Sequence, residues 1–187
     1  MTTNMKRCKW CGDDPLYMAY HDEEWGKPVT EDKILFEFLI LESAQAGLSW
    51  ITILRKRDGY RQNFAHFDAS KVAHFSDDDI ERIAQDPSII RHKGKVKAAV
   101  SNAGIFLSLQ KEFGSFYNYL YSFMPGNSPI NNKVTEYKTF ISTSPESDAI
   151  AKDLKKRGMK FFGSTICYAY MQAVGMVNDH EVDCAFK

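Results

Sequence analysis

A short segment from Glu42 to Trp50 combines side chains that suit contact with an aromatic base. Glu42 follows an apolar run, residues 34–41, and its carboxylate can accept hydrogen bonds from a polar ring edge. Gly47 then breaks the apolar pattern, Leu48 follows as an apolar wedge, and Trp50 offers a large flat stacking surface. These features suit a protein that extracts and holds a base. The alternative is a helix–loop–helix corner in which the tryptophan belongs to the core.

Two cysteines and two histidines near the chain ends form a second candidate site, namely Cys8, His21, His180 and Cys184. Two thiolates and two imidazoles are the ligand set of a closed, tetrahedral structural zinc site. Such a site would tie the two termini together and, by analogy with cross-linking a long loop, contribute about 4–5 kcal/mol before strain. The alternative is that these are ordinary buried residues. Cys11 forms a C-x-x-C with Cys8, which offers a second ligand choice or a redox motif, but the sequence shows no thioredoxin-like βαβ pattern.

A glycine-containing turn between two predicted helices, residues 158–165, is a candidate helix-hairpin-helix. In that motif, backbone N–H groups at the start of the second helix hold a DNA phosphate without reading sequence. Three basic clusters accompany it: Lys155, Lys156, Arg157 and Lys160 around the turn, Arg91, Lys93, Lys95 and Lys97 around Gly94, and Arg55, Lys56 and Arg57. The alternative is that each cluster is a solvated helix end.

The overall composition is that of one ordinary soluble domain, because 44% of the 187 residues are hydrophobic and 26% are charged. Basic and acidic residues number 24 each, which excludes a strongly basic nucleic-acid binder but not a local basic patch. Neither a signal peptide nor an apolar stretch of ~18 residues is visible, so we expect no membrane span and a cytoplasmic location. In that reducing compartment the four cysteines are expected to be ligands or buried thiols rather than disulfides.

Helical periodicity runs through nearly the whole chain and predicts an all-α protein of about eight to ten short helices in one domain, 1–187. After His92, apolar residues recur on one helical face at Val96, Ala99, Val100, Ala103 and Leu107. Ser76 and Ser144 precede helices as N-caps, and Gly158 ends the second of these helices. The aromatic stretch 116–123 favours a short helix over a strand, and residues 124–135 are predicted to be a loop.

Four strings of the sequence are similar to those of the bacterial 3-methyladenine DNA glycosylase I family. They are DPLYMAYHDEEWG at 14–26, LESAQAGLSWITIL at 41–54, IIRHKGK at 89–95, and KFFGSTICY at 160–168 running on to NDH at 178–180. The resemblance covers almost the whole chain. It implies the helix-hairpin-helix glycosylase fold, with helical lobes around a base-binding pocket and the hairpin at approximately 146–176.

The resemblance also implies roles for individual residues. Glu42 would contact the base as the catalytic-site carboxylate, Tyr20 and Trp50 would wall the pocket, and Trp10 and Trp25 would be further aromatics near it. Zinc would be held by Cys8, His21, His180 and Cys184, which would join the segments 1–26 and 176–187. The gap left by the extruded nucleotide would be filled by the loop of Gly47 and Leu48, and the hairpin start at Gly163, Ser164 and Thr165 would hold the DNA backbone.

The wider helix-hairpin-helix superfamily usually carries an Asp after the second helix of the hairpin, and its lyase members carry a Lys near the start of that helix. Here these two positions correspond to Asn178, with Asp179 adjacent, and to Thr165. The resemblance therefore implies a monofunctional glycosylase that forms no Schiff base. Because 3-methyladenine is cationic in DNA and leaves as a neutral base, we expect Glu42 to serve recognition more than transition-state stabilisation.

The expected partners are double-stranded DNA containing alkylated bases and free 3-methyladenine as product, and the enzyme is expected to act as a monomer. A different class of function is a zinc-stabilised helical DNA-binding module without excision. That class predicts the hairpin and zinc but not the pocket formed by Glu42, Trp50 and Tyr20. A zinc hydrolase is a weaker rival, because four protein ligands leave no position for water.

Overall fold

The structure, a computed structural model, describes residues 5–136 and 141–187. The first four residues of the predicted zinc-tied segment 1–26 lie outside the described residues. In this part of the chain, ten α-helices follow one another: α1 Pro15–Glu23, α2 Asp32–Gln45, α3 Trp50–Leu54, α4 Arg57–Asn63, α5 Ala69–Val72, α6 Asp77–Gln85, α7 Lys93–Phe113, α8 Phe116–Tyr121, α9 Pro145–Lys156 and α10 Ser164–Ala173. The helical prediction is confirmed, and no helix described here is long and apolar enough to cross a membrane.

Several helix ends follow the predicted local chemistry. Ser76 and Ser144 each form a capping box at the start of α6 and α9, with Asp79 and Ser147 as the reciprocal partners. α9 ends at the predicted glycine, where Met159 N donates to Leu154 O and Gly158, at φ +96°, donates to Lys155 O. These two bonds satisfy carbonyls at the helix end in the Schellman pattern.

α2 is the central helix, and its apolar run is buried on all sides. Residues 35–42 are all less than one tenth exposed, including the carboxylates Glu37 and Glu42. α10, α7, α3 and α8 pack around it. Because α2 is enclosed in this way, Glu42 near its end lies inside the protein rather than on a solvated face.

One feature of the all-α prediction is wrong. The predicted loop 124–135 contains a two-residue strand, β1 (Ile130–Asn131), that pairs in parallel with β2 (Val177–Asn178). Beyond it, Val134 forms an isolated bridge with Glu181. Because these two short strands lie far apart in the sequence, no local periodicity predicts that they pair. It holds the C-terminal segment against the body of the protein.

The segment after α1 lies against the end of α10. Gly26 N donates to Gln172 O and Val29 N donates to Val174 O, each at 3.0 Å. Gly175 allows this approach, because a Cβ there would lie 2.2 Å from the carbonyl carbon of Lys27 and its φ is +69°. Trp25 is thereby placed between α1, α10 and the C-terminal segment.

Candidate active site

A pocket of about 180 Å³ opens between α1, the end of α2, α3 and α10. It is lined by Trp10, Tyr17, Tyr20, Trp25, Glu42, Gln45, Trp50, Ala169 and Gln172. All three tryptophans of the chain are among these residues. The structure therefore brings together every base-binding residue predicted from the sequence, and it adds Tyr17, Gln45, Ala169 and Gln172.

The aromatic walls of the pocket contact one another, Trp10 edge to face with Trp25 and Tyr17, and Tyr20 tilted against Trp50. The rings of Trp10 and Trp25 lie 4.8 Å apart, those of Trp10 and Tyr17 5.0 Å, and those of Tyr20 and Trp50 5.5 Å. Tyr17 and Tyr20 are three residues apart on α1, which starts at the cap Asp14 and Pro15, so both rings lie on one face. Rings held in this way give the pocket fixed flat surfaces suited to a planar ligand.

Glu42 is the one acidic side chain among the described residues that line the pocket. It is 2% exposed, and burial raises the pKa of its carboxyl group to about 8. In the described part of the chain, three buried polar atoms of this pocket have no protein hydrogen-bond partner: Glu42 Oε2, Trp10 Nε1 and Trp50 Nε1. Since buried polar groups are nearly always paired, one carboxyl oxygen and two N–H donors are available to a ligand with complementary polar edges.

The loop between α2 and α3 borders the pocket. Gly47, at φ +81°, turns the chain, and Leu48 N donates to Gln45 O at 2.6 Å. Leu48 is 39% exposed, whereas Trp50 at the start of α3 is 8% exposed. An apolar side chain thus projects from the rim of a buried aromatic pocket, where the wedge was predicted.

The four predicted metal ligands converge in one buried cluster. Cys8 Sγ and Cys184 Sγ each lie 3.5 Å from His180 Nδ1, Cys184 Sγ lies 3.6 Å from His21 Nε2, and all four candidate ligand atoms lie within 4.8 Å of one another. A tetrahedral zinc with the usual Zn–S and Zn–N distances would place a sulfur and a nitrogen about 3.5 Å apart. The donor set and its spacing therefore fit zinc.

The outer nitrogen of each histidine is also bonded in the way that ligand histidines are. His21 Nδ1 lies 2.8 Å from Asp22 Oδ1, and His180 Nε2 lies 3.1 Å from the backbone oxygen of Trp25. Partners of this kind fix the ring and the nitrogen that faces a metal. Cys11 is buried outside the cluster, with its Sγ 3.2 Å from Cys8 O. Of the two thiols in the C-x-x-C, the geometry places Cys8 in the cluster.

The residues of the predicted hairpin form α9, a turn and α10. Gly163 caps α10, Ser164 is bonded to Ser147 and Asp148, and Thr165 is exposed. A shallow groove beside the turn is lined by Lys152, Lys155 and Lys160 together with Phe161, Gly163 and Ser164. The positive charge around the turn therefore comes from exposed lysines.

Three arginines of the basic clusters form ion pairs within the protein, and one of them is Arg55, which bonds Asp14 at 2.6 Å. Arg57 is bidentate to Glu24 and also bonds Glu37 at 2.6 Å. Arg157 bonds Glu112 and Asp153. The guanidinium groups of these residues therefore already have carboxylate partners.

Neither candidate for the superfamily Asp lines the pocket. Asp179 is 1% exposed and accepts hydrogen bonds from Asn132 Nδ2 at 2.6 Å and from Tyr168 OH and Gln172 Nε2 at 2.8 Å. Asn178 Oδ1 accepts from His180 N. Asp179 thus holds a pocket residue, Gln172, in place instead of facing a ligand. His92 lies at the N-cap of α7 with its ring 5.9 Å from that of Phe161.

Comparison with known proteins gives consistent similarities over the whole chain. A family model described as methyladenine glycosylase matches residues 10–187. DNA-3-methyladenine glycosylase 1 of Escherichia coli strain K12 is 50% identical over 180 residues, which is 96% of each chain. A crystal structure of 3-methyladenine DNA glycosylase I superposes with a TM-score of 0.93 at 47% identity, over 96% of this chain and 98% of that one. Another, of a variant of 3-methyladenine DNA glycosylase I in complex with 3-methyladenine, has a TM-score of 0.93 at 36% identity, over 98% of both chains.

The helical fold, the pocket and these similarities define a DNA glycosylase, a hydrolase that acts on N-glycosyl bonds. The chain belongs to the methyladenine glycosylase family.

Four pocket residues were not predicted from the sequence, and only two of them have a local sequence signal that could have indicated them. Tyr17 lies one helical turn before Tyr20 in a predicted helix, so the i, i+3 spacing could have indicated it. Gln45 lies one turn after Glu42 and could have been found in the same way. Ala169 and Gln172 come from α10, more than 100 residues away, and only the packing of α10 against α2 brings them to the pocket.

Proposed function

We propose that this enzyme turns 3-methyladenine out of duplex DNA into the pocket and hydrolyses its N-glycosidic bond, releasing the free base and leaving an abasic site. The observation that carries the proposal is Glu42, a buried carboxyl group with an unpaired oxygen inside a box of five aromatic side chains. The bound base in the related crystal structure supports the same assignment of ligand.

The pocket favours a cationic ring over a neutral one. Tryptophan and tyrosine faces attract a cation by about 0.5–2 kcal/mol per contact, more when water is excluded. The pKa of Glu42 near 8 means that the empty pocket holds a neutral acid at pH 7. A cationic base placed beside it favours the carboxylate, so binding is expected to release a proton. Normal adenine lacks the charge and obtains neither contribution.

The chemistry requires few catalytic groups, because the substrate already carries the charge of a good leaving group. The bond between the sugar and the base breaks, its electron pair leaves with the base, which becomes neutral, and water adds to the sugar carbon and loses a proton. The methylated base pairs and stacks weakly in the duplex. This lowers the free energy needed to turn it out of the helix and adds selectivity. With Asp179 fully hydrogen-bonded away from the pocket, Glu42 is the acid placed to act near the base, and we assign it mainly to recognition.

We propose that Cys8, His21, His180 and Cys184 hold one structural zinc ion. Zinc would supply a cross-link between the N- and C-terminal segments and a charge that keeps both thiols ionised. Burial in the protein raises the pKa of Cys8 to about 12, so a thiolate there calls for a bound cation. The cluster also adjoins the pocket, because His21 follows Tyr20 in α1 and His180 bonds Trp25.

For DNA binding, we propose that Leu48 fills the space vacated by the extruded nucleotide and that the α9–α10 hairpin holds the backbone at Gly163, Ser164 and Thr165. The exposed lysines 152, 155 and 160 would add attraction for phosphates. We expect the active species to be a monomer, which sedimentation with and without DNA would test.

The decisive experiment is incubation of the purified protein with methylated DNA, followed by chromatographic identification of the released bases. Release of 3-methyladenine by the wild type, with a reduced rate for Glu42→Gln, is the expected result. Glu23→Gln, which changes an exposed carboxylate on α1, is the control. Tight binding to methylated DNA without any released base would instead identify a DNA-binding module that lacks excision.

A further inference from the structure

Lys95, in the first turn of α7, reaches across to the end of α2. Its Nζ donates to Ala44 O at 2.8 Å and to Ala46 O at 3.0 Å. The side chain is half-buried, and its stem lies along a small apolar cavity lined by Leu39, Ile40, Ala44, Tyr60 and Phe64 among others. An ammonium group held by two carbonyl oxygens in this setting is committed to the protein rather than to solvent.

The two carbonyls belong to the helix end that leads into the loop at the pocket rim. Glu42 precedes Ala44 by two residues, and Gly47 and Leu48 follow Ala46 directly. The last carbonyls of a helix lack partners within the helix and favour a nearby cation. Within α2, all of which the structure describes, the last turn contains no basic residue. Lys95 supplies that cap from another helix.

The bonds of the loop itself are local: Ser49 bonds Thr52, three residues further along the chain, through its hydroxyl and carbonyl oxygens. Ala46, Gly47, Leu48 and Ser49 are all exposed. The Leu48 N to Gln45 O bond closes the turn locally but does not fix its direction relative to the body of the protein. The bonds from Lys95 to both sides of Gln45 provide that fixed direction.

α7 holds the hairpin as well. Asn102, 1% exposed, donates through Nδ2 to Lys160 O at 2.9 Å and accepts from Lys160 N at 3.0 Å. One helix therefore carries a bond pair to the loop of Leu48 and a bond pair to the turn before Gly163. These side chains tie both of the elements proposed to contact DNA to the same helix, in addition to the direct packing of α10 on α2.

We propose that Lys95 is a positioning residue for excision: it caps α2 and holds the 46–49 loop in the orientation from which Leu48 enters the DNA stack while Glu42 faces the base. This inference rests on the proposed function, since it concerns the action of the same site on duplex DNA. It requires that loss of the ammonium impair the steps on DNA and leave the recognition of free base intact.

The test compares Lys95→Met, which keeps the stem and removes the donor, with Lys95→Arg, which keeps a donating cation. Lys111→Met, at the far exposed end of α7, controls for the change of charge on that helix. Three measurements are made: the Kd for free 3-methyladenine from tryptophan quenching, the single-turnover excision rate on methylated duplex, and the fluorescence of 2-aminopurine placed opposite an abasic analogue as a probe of loop insertion.

For Lys95→Met we expect an unchanged Kd for the base, an excision rate lower by about tenfold, and a loss of the 2-aminopurine signal, as follows from removing a charged hydrogen bond that orders a loop. Lys95→Arg should restore part of the rate, and Lys111→Met should behave as wild type. If Lys95→Met does not fold, the test uses Lys95→Arg and Lys95→Gln instead. Hydrogen exchange of the Leu48 amide is then compared between these two variants, and faster exchange is expected in the glutamine variant.

Two results would overturn the proposal. The first is an excision rate for Lys95→Met equal to that of wild type. The second is a weaker affinity for DNA together with normal 2-aminopurine fluorescence, where the salt dependence of the affinity corresponds to about one fewer released ion than for the wild type. That pattern identifies a phosphate contact. A wild-type protein that releases no base would refute the proposed function and not the role of Lys95 in the loop, which hydrogen exchange still reports.

Discussion

The imidazole of His180 lies with Nε2 3.1 Å from the backbone oxygen of Trp25, while its Nδ1 faces the two cysteine sulfurs. The same ring therefore belongs to the candidate metal cluster and bonds the backbone of a pocket wall. The proposed metal site and the pocket are therefore linked through this one side chain.

Removal of the proposed zinc ion should destabilise the protein and disturb the pocket. With a strong chelator, we expect the free energy of unfolding to fall by about 3–5 kcal/mol, since the ion closes a long loop, and tryptophan emission to shift because Trp25 loses its fixed partner. Urea unfolding followed by fluorescence, with zinc quantified before and after, measures both. Cys184→Ser should bind no zinc and Cys11→Ser should bind one ion; zinc retained by Cys8→Ser but lost by Cys11→Ser would reverse the ligand assignment.

Burial of Glu42 should make the stability of the protein depend on pH in a defined direction. Its pKa is about 8 in the folded protein against 4.5 when solvated, so the folded state binds more protons between these values and its stability falls as pH rises through the window. Glu42→Gln should therefore be more stable than wild type above pH 8, by a few kcal/mol at about 1.4 kcal/mol per pKa unit, with the difference vanishing toward pH 4.5.

Urea titrations of both proteins from pH 5 to pH 9 at one zinc concentration check this expectation. Acid release of metal affects both proteins alike, so their difference reports Glu42. Glu23→Gln should track wild type at every pH. A difference between Glu42→Gln and wild type that does not vary with pH would mean that the carboxylate is solvated or paired in solution.

Trp50 should contribute to the affinity for the base by stacking the face of its indole ring on it. Measured at a pH low enough to protonate free 3-methyladenine but not adenine, Trp50→Leu is expected to weaken binding of 3-methyladenine about tenfold and to weaken adenine binding less, because only the protonated base gains from the aromatic surface. Trp50→Phe should lie between. Isothermal titration calorimetry with both bases measures the difference, and equal losses for the two bases would assign Trp50 to packing alone.

Leu48 should matter for DNA and not for the base. Leu48→Ala should lower single-turnover excision from duplex by about tenfold while the Kd for free 3-methyladenine stays the same, since the side chain projects outside the pocket. Leu16→Ala, which shortens another exposed leucine, is the matched control. Equal effects of Leu48→Ala on rate and on base affinity would place Leu48 in the pocket instead.

Much of the helical framework could be read from the sequence, because its signals are local. Ser76 and Ser144 as caps, Gly158 as a stop and the apolar face of α7 each depend on residues within a few positions. The β1–β2 pairing and the approach of α10 to the pocket depend on contacts between distant segments. The pairing of Arg57 with Glu24 and Glu37 is of the same kind, so a basic run looked like a surface cluster although one member is internal.

For the site, the family resemblance supplied what spacing could not. Cys8 and His180 lie at opposite ends of the chain, and no spacing rule joins them, yet their side chains are 3.5 Å apart. In contrast, Tyr17 and Gln45 follow from helical spacing around Tyr20 and Glu42. The role of Asp179 could not be predicted from the sequence, because the three groups that donate hydrogen bonds to it come from the 124–135 segment and from α10.

The ion pairs of Arg57 and Arg157 have a consequence for how the proposed enzyme would search DNA. The 24 basic residues are balanced by 24 acidic ones, and Arg57 and Arg157 are already paired with carboxylates, so we expect the overall attraction of the protein for DNA phosphates to be weak. Weak electrostatic attachment shortens each visit to undamaged DNA and frees the protein to move on. Under the proposed function, long residence would be confined to the rare place where a charged base enters the pocket, and discrimination would then arise from dwell time as much as from fit.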